Sequence, residues 1–417
     1  MPQTVLNKLF FYLTIFALIF GVILYDTLKL IFVDEICAVL LVGLYCYYIY
    51  KTPKWEINKV FVITLGIFLF YLVYSLAIKS NVKRAILIDF TIQIKPYLGF
   101  FCAYAIAPLF NKKQKLIIKC LCIAIAFYLM FLGILSLFIK DFLYTTMSHP
   151  SRFATAVSII SILYLYVSDY TMKDKIIFVT IMLFGLLSGR SKFYGFMILA
   201  TFLIFFLKYF NFKINLKNSI ILLVIFGIVF LATKNKIFTY FDPNSFGKGK
   251  GLSDLYARMA LYYFSGFIFM DYIPFGSGFA SYATYASSIY YSPLYPKYNI
   301  DMVWGLSKDY PAFICDAYYP VLAQFGIIGA TLFFAFWLLI LSKAYRWFQQ
   351  TSNIKLFTLV IVMVIFFLIE CTSDSTITHN RGFFMMMILG MVLSDFQREY
   401  KNRQKEITTP SAEEIKP

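Results

Sequence analysis

Long apolar blocks, recurring along the whole chain and separated by short basic clusters, constrain this protein more than any other feature. A helix needs about 20 apolar residues to cross the hydrocarbon of a bilayer. Blocks of or near that length fall at 10–25, 31–50, 60–78, 87–110, 116–139, 154–167, 176–187, 193–207, 220–231, 319–341, 356–370 and 382–394. The shorter ones are workable where neighbouring helices or a water-filled cavity satisfy the backbone. Composition agrees: 61% of the residues are hydrophobic and 14% charged, with a mean hydropathy of +0.75. A soluble domain carries about 25% charge. The expected fold is an all-α integral membrane protein of about twelve spans. The first block has no small-residue cleavage site and is followed at once by others, so a cleavable signal is not expected.

The chain divides into nine spans over residues 1–231, a long loop over 232–318, three spans over 319–397 and a charged tail over 398–417. The tail beyond Glu399 reads as disordered. Asp89, Lys95 and Pro96 interrupt the block at 87–110, which predicts a kink or break there. The net charge of +17 does not make this a nucleic-acid binder, because Lys and Arg sit at block ends and not on one strip. The seven cysteines show no metal-ligand spacing.

Counting Lys and Arg in short loops favours cytoplasmic termini by about two to one. The 232–318 loop then lies outside, and Cys315 and Cys371 share that face, which allows a disulfide. Lys follows the orientation rule, whereas Arg does not. Five of the eight arginines (Arg84, Arg152, Arg190, Arg258 and Arg381) fall on the outer side, as do both histidines, His149 and His379. Arg offers a planar fork that grips phosphate at two points. The outer set therefore points to phosphate or pyrophosphate held at the membrane surface, against the alternatives of snorkelling and local ion pairs. Within the loop, the stretch from Leu255 to Met270 reads as a helix, Pro274-Phe-Gly-Ser-Gly-Phe279 as a turn, and the tyrosine-rich run 282–298 as non-helical. Its tyrosines suit either sugar stacking or, for most of them, an interfacial aromatic belt.

Four pieces in order, Ser188-Gly-Arg-Ser-Lys192, Arg258, Pro274-Phe-Gly-Ser-Gly-Phe279 and the segment from Asp316 to Gly329, resemble the bacterial O-antigen polymerase and ligase superfamily. The resemblance covers roughly residues 150–340. It implies a multi-pass protein of the bacterial inner membrane with a large periplasmic loop containing helices. It also implies a glycosyltransferase that uses a polyprenyl-diphosphate-linked glycan donor with neither metal nor cofactor. By the same resemblance Arg190 and Arg258 match arginines that hold the donor diphosphate, with Arg152, Lys192 and Arg381 as further candidates. Asp316 stands where ligases have a histidine, a departure that favours the polymerase branch and leaves the general base open. His379 is on the correct face, and the family pattern does not assign it. The implied partners are donor and acceptor glycans on the polyprenyl carrier, membrane lipids and a chain-length regulator. Polymerase is the first reading, ligase the second, and a lipid-linked sugar flippase or transporter the third.

Overall fold

The computed structural model describes residues 2–30, 32–51, 56–209 and 256–408. All regular structure among these is helical. Seven helices are long and apolar enough to cross a membrane: Gln3–Thr27, Val33–Tyr50, Asn58–Ile78, Lys83–Ile106, Lys112–Phe138, Pro150–Val167 and Tyr319–Thr351. They answer to seven of the twelve expected spans. The blocks at 176–187, 193–207, 356–370 and 382–394 are also helical, and the one at 220–231 lies outside the described residues.

We label the helices in chain order. The first span is α1 (Pro2–Phe16), a π-helical stretch (Ala17–Ile23) and α2 (Leu24–Thr27). Then come α3 (Val33–Lys51), α4 (Glu56–Ile78), α5 (Lys83–Ile106), α6 (Lys112–Phe138), α7 (Phe142–Thr146), α8 (Pro150–Val167), α9 (Met172–Phe184) and α10 (Ser191–Phe206). The later part holds α11 (Ala257–Asp271), α12 (Tyr285–Ile289), α13 (Leu294–Lys297), α14 (Gly326–Thr351), α15 (Ile354–Glu370) and α16 (Asn380–Thr408).

Local chemistry sets several boundaries. Asn111 and Gln114 form a reciprocal cap on α6, and Thr171 and Asp174 do the same on α9. Pro96 does not split α5, which is one continuous helix from Lys83 to Ile106. The tail expectation is also corrected, since α16 continues through residue 408. Residues 409–417 are outside the described set.

Side-chain bonds between helix ends establish an up-and-down arrangement. Gln3 Nε2 donates to Ile106 O (3.1 Å), Arg398 Nη2 to Ala107 O (2.8 Å), and Lys355 Nζ to Ser168 O (2.5 Å). These define a tail end. At the opposite loop end, Tyr71 Oη donates to Phe325 O (2.7 Å) and Ser80 Oγ to Phe279 O (2.7 Å), docking the 256–325 segment onto the α4–α5 hairpin. The α8 helix runs through the middle, with every residue except Arg152 buried. The α5 and α16 helices touch closely enough that a Cβ on Gly390 would lie 2.4 Å from Phe100 O, the small-residue contact that lets membrane helices approach. Large apolar side chains such as Val73, Phe138 and Leu338 are exposed around the perimeter. A soluble surface does not carry so many, whereas lipid tails solvate them.

The 282–298 run contains α12 and α13, contrary to the non-helical expectation. Tyr282 and Tyr295 are fully buried: Tyr282 Oη donates to Leu261 O (2.7 Å), and Tyr295 Oη accepts from Ala283 N (3.0 Å). These two build the loop core and are not part of a belt. Cys315 and Cys371 are both free thiols.

Candidate functional site

The helix ends at the loop end are staggered. Lys95 lies twelve residues into α5, about 18 Å along its axis. Yet it bonds to Asp34 and Glu35 in the first turn of α3. The α2–α3 connection therefore sits well below the start of α5. The upper half of α5 and the loop segment wall off the depression, enclosing a cavity of about 1030 Å³. Its floor carries Tyr25, Asp34, Glu35 and Lys95; its walls carry Arg84, Arg152, Tyr285, Tyr310 and His379.

Beside the cavity, Asp26 joins two of the expected site arginines. Its Oδ1 accepts from Arg152 Nη1 (2.5 Å) and Ser148 Oγ (2.9 Å), and its Oδ2 from Arg381 Nη2 (2.7 Å). The π-helical stretch frees carbonyls that an α-helix would use, and Arg381 also donates to Val22 O (2.8 Å) while Asn380 donates to Gly21 O (2.8 Å). Arg381 is about 1% exposed. It ties α16 to the first span through Asp26 and Val22, while its Nε and Nη1 are buried with no hydrogen-bond partner among the described residues.

A second cluster lies between α10 and the α15–α16 connection. Lys192 Nζ pairs with Glu370 Oε2 (2.7 Å) and Asp374 Oδ2 (3.3 Å), which neutralises it as a phosphate ligand. Arg190 is different. Its Nη2 donates to Tyr144 Oη (3.0 Å) and lies 2.9 Å from His149 Nε2, and it has no carboxylate partner among the described residues. Arg258, on the first turn of α11, pairs with Asp316 and donates from Nε to its carbonyl (3.3 Å). Arg84 is exposed on the cavity wall and forms no ion pair with a described residue.

Asp374 is the electrostatic centre of this face. Burial would raise its carboxyl, but the neighbouring Lys192 and His379 outweigh burial and hold it below the usual range. Burial raises Asp316, with Arg258 opposing and Asp374 reinforcing the rise. Burial lowers His379, with Asp374 acting against the fall and Arg152 and Arg381 adding to it. His149 is pushed down to about 4 by burial and by Arg190. Both imidazoles are therefore neutral near pH 7.

Of the seven residues expected at the site, Arg152 and His379 line the cavity. Arg190, Lys192, Arg258 and Asp316 stand on the same end of the bundle, and Arg381 is interior. Sequence reasoning missed Asp374, Asp26 and the Asp34–Glu35 pair, because an acid at a span end carries no topological signal until its partner is known. Among the described residues no group of three His, Cys, Asp or Glu could hold a metal.

Among the described residues, the fold and this face define a helical membrane protein with a cavity at the end of its bundle, lined by apolar side chains and by charges of both signs, Arg84, Lys95 and Arg152 against Asp34, Glu35 and Asp89. Comparison of the chain with protein-family models and with curated proteins finds no match to either.

Proposed function

We propose that this protein is a membrane glycosyltransferase that joins polyprenyl-diphosphate-linked oligosaccharides into a surface polysaccharide. The donor and acceptor meet at the loop end, facing the periplasm, with about twelve spans and both termini in the cytoplasm. The observation that carries this reading is a pair of arginines with no carboxylate partner among the described residues, Arg84 on the cavity wall and Arg190 at the same end of the bundle, the end that the Lys and Arg count puts outside.

The acceptor hydroxyl attacks the anomeric carbon of the donor glycan. A carbon–oxygen bond forms there as the bond to the diphosphate oxygen breaks, and the hydroxyl proton passes to a base. Negative charge grows on the leaving diphosphate, which fixed guanidinium groups stabilise. Arg190 and Arg84 suit that task because neither is neutralised by a described carboxylate. Arg258 is anchored by Asp316, which makes Asp316 the residue that aims it. His379 is neutral near pH 7, as a general base must be, and Asp374 beside it stabilises the imidazolium that forms.

Gene deletion in the native cell tests the reading. Surface polysaccharide that collapses to a single repeat, and is restored by wild type but not by Arg190→Ala, supports a polymerase. Polymer that persists on the polyprenyl carrier indicates a ligase. A second reading, a flippase or transporter, draws on Lys95, Asp34 and Glu35, ionisable groups facing the cavity. Lipid-linked repeats held on the cytoplasmic side would favour it.

A further inference from the structure

The cavity is electrically two-sided. Its walls carry the cations Arg84 and Arg152, while its floor sets two carboxylates, Asp34 and Glu35, against the single ammonium of Lys95. Lys95 bonds to one oxygen of each acid, and the two carboxylates lie against each other, with Asp34 Oδ1 and Glu35 Oε2 buried. Asp34 is 2% exposed, which leaves Glu35 as the acid of the pair open to the cavity. The Glu35 side chain is 44% exposed on the cavity floor. The walls of the same cavity carry two exposed aromatic rings. Tyr310 is 45% exposed and is braced by Trp304, with ring centroids 5.3 Å apart, and Tyr285 is 58% exposed at the end of α12.

An aromatic plane beside acceptor-only carboxylates matches a ring that has one apolar C–H face and an edge of hydroxyl donors. We propose that this floor is a sugar subsite. Glu35, held in place by Lys95 and Asp34, accepts a hydrogen bond from a ring hydroxyl, and Tyr310 and Tyr285 cover the C–H faces. Because the floor carries one more acid than base, the sugar seated there bears no carboxylate; a uronic acid would meet like charge in a poorly screened site. The proposal rests on the glycosyl-transfer reading and adds to it which part of the glycan each side of the cavity receives.

The probe is the repeat-unit oligosaccharide released by mild acid from the polyprenyl-linked pool of gene-deleted cells. Its binding to the full chain in lipid nanodiscs is followed by calorimetry. Glu35→Gln is expected to weaken binding about tenfold, the scale of one charge-assisted hydrogen bond, and Tyr285→Ala, which removes a stacking face, by a similar factor of about ten. Arg190→Ala should leave binding unchanged, because the released probe has no diphosphate. Tyr285→Ala sits on an exposed rim, so a folding defect in the Glu35 variant would not obscure the result. Wild-type binding by both variants overturns the subsite and leaves glycosyl transfer standing. A probe in which every sugar is a uronic acid overturns it as well. Failure of any lipid-linked pool to accumulate overturns the glycosyl-transfer reading, and the subsite falls with it.

Discussion

Replacing Asp26 by Asn isolates the ion pair on which the first span and α16 depend. Asp26 and Arg381 are both nearly inaccessible, with side chains 1% and 2% exposed, whereas Arg152 is 34% exposed. Asp26→Asn keeps the shape and deletes the charge, leaving the Arg381 guanidinium buried beside the single carbonyl of Val22 and no anion. Breaking a buried pair in this way costs about 3–5 kcal/mol. Arg152→Gln leaves the Asp26–Arg381 pair intact and removes a cation that solvent screens, for about 0–1 kcal/mol. Removing both buried charges with Asp26→Leu and Arg381→Met should recover most of the loss, since an apolar pair of similar volume often replaces an ion pair at little cost. Thermal unfolding of the purified variants in nanodiscs, followed by intrinsic fluorescence, should therefore give a large drop for Asp26→Asn. It should give a small drop for Arg152→Gln and a partial return for the double variant. Equal drops for Asp26→Asn and Arg152→Gln, or a double variant worse than Asp26→Asn alone, would show that the pair is not what holds these helices.

Arg190 has no acid to orphan, so Arg190→Ala should lower polymer formed per unit protein by about 10²–10³-fold, the cost of losing one transition-state donor, with the membrane level of the protein unchanged. Quantitative immunoblotting beside the polysaccharide gel checks both. Burial lowers His379 below the ordinary histidine value of 6.5, so the acid limb of the activity profile should fall below that pH and should vanish in whatever activity His379→Gln retains. His149, held at about 4 against 6.5 when unfolded, binds its proton more readily in the unfolded chain. Its contribution to stability is thus complete above pH 6.5 and declines as pH falls toward 4, and melting temperatures of His149→Asn should slope less across that window. Gly276 has φ +80°, and a Cβ there would lie 2.3 Å from Gly326 N, so Gly276→Ala should sharply reduce protein in the membrane. Gly43→Ala, with nothing within 4 Å, should leave it unchanged or slightly raised.

The helices were legible because a bilayer demands length and apolarity, and both are local properties of a block. Their stagger was not. Nothing near Lys95 in sequence announces that its partners are Asp34 and Glu35, about sixty positions away, and the cavity exists because that pairing sets α3 far below the start of α5. The same limit governed Pro96. An isolated proline predicts a break, but α5 packs along α16 for most of its lower half, and that burial carries the helix through.

Among the cations the limit has a chemical consequence. Arg381 and Arg190 both follow a polar turn at a span end, and in sequence they read alike. In the fold Arg381 faces Asp26 and Lys192 faces Glu370 and Asp374, so their charge is already used inside the protein. Arg84 and Arg190 face no described carboxylate. A phosphate arriving at Arg381 would have to displace a buried acid, at the cost of an uncompensated charge; one arriving at Arg190 displaces only a tyrosine hydroxyl and a neutral imidazole. Carboxylate pairing, which only the three-dimensional fold reveals, therefore separates the arginines that hold the bundle together from those free to hold an anion.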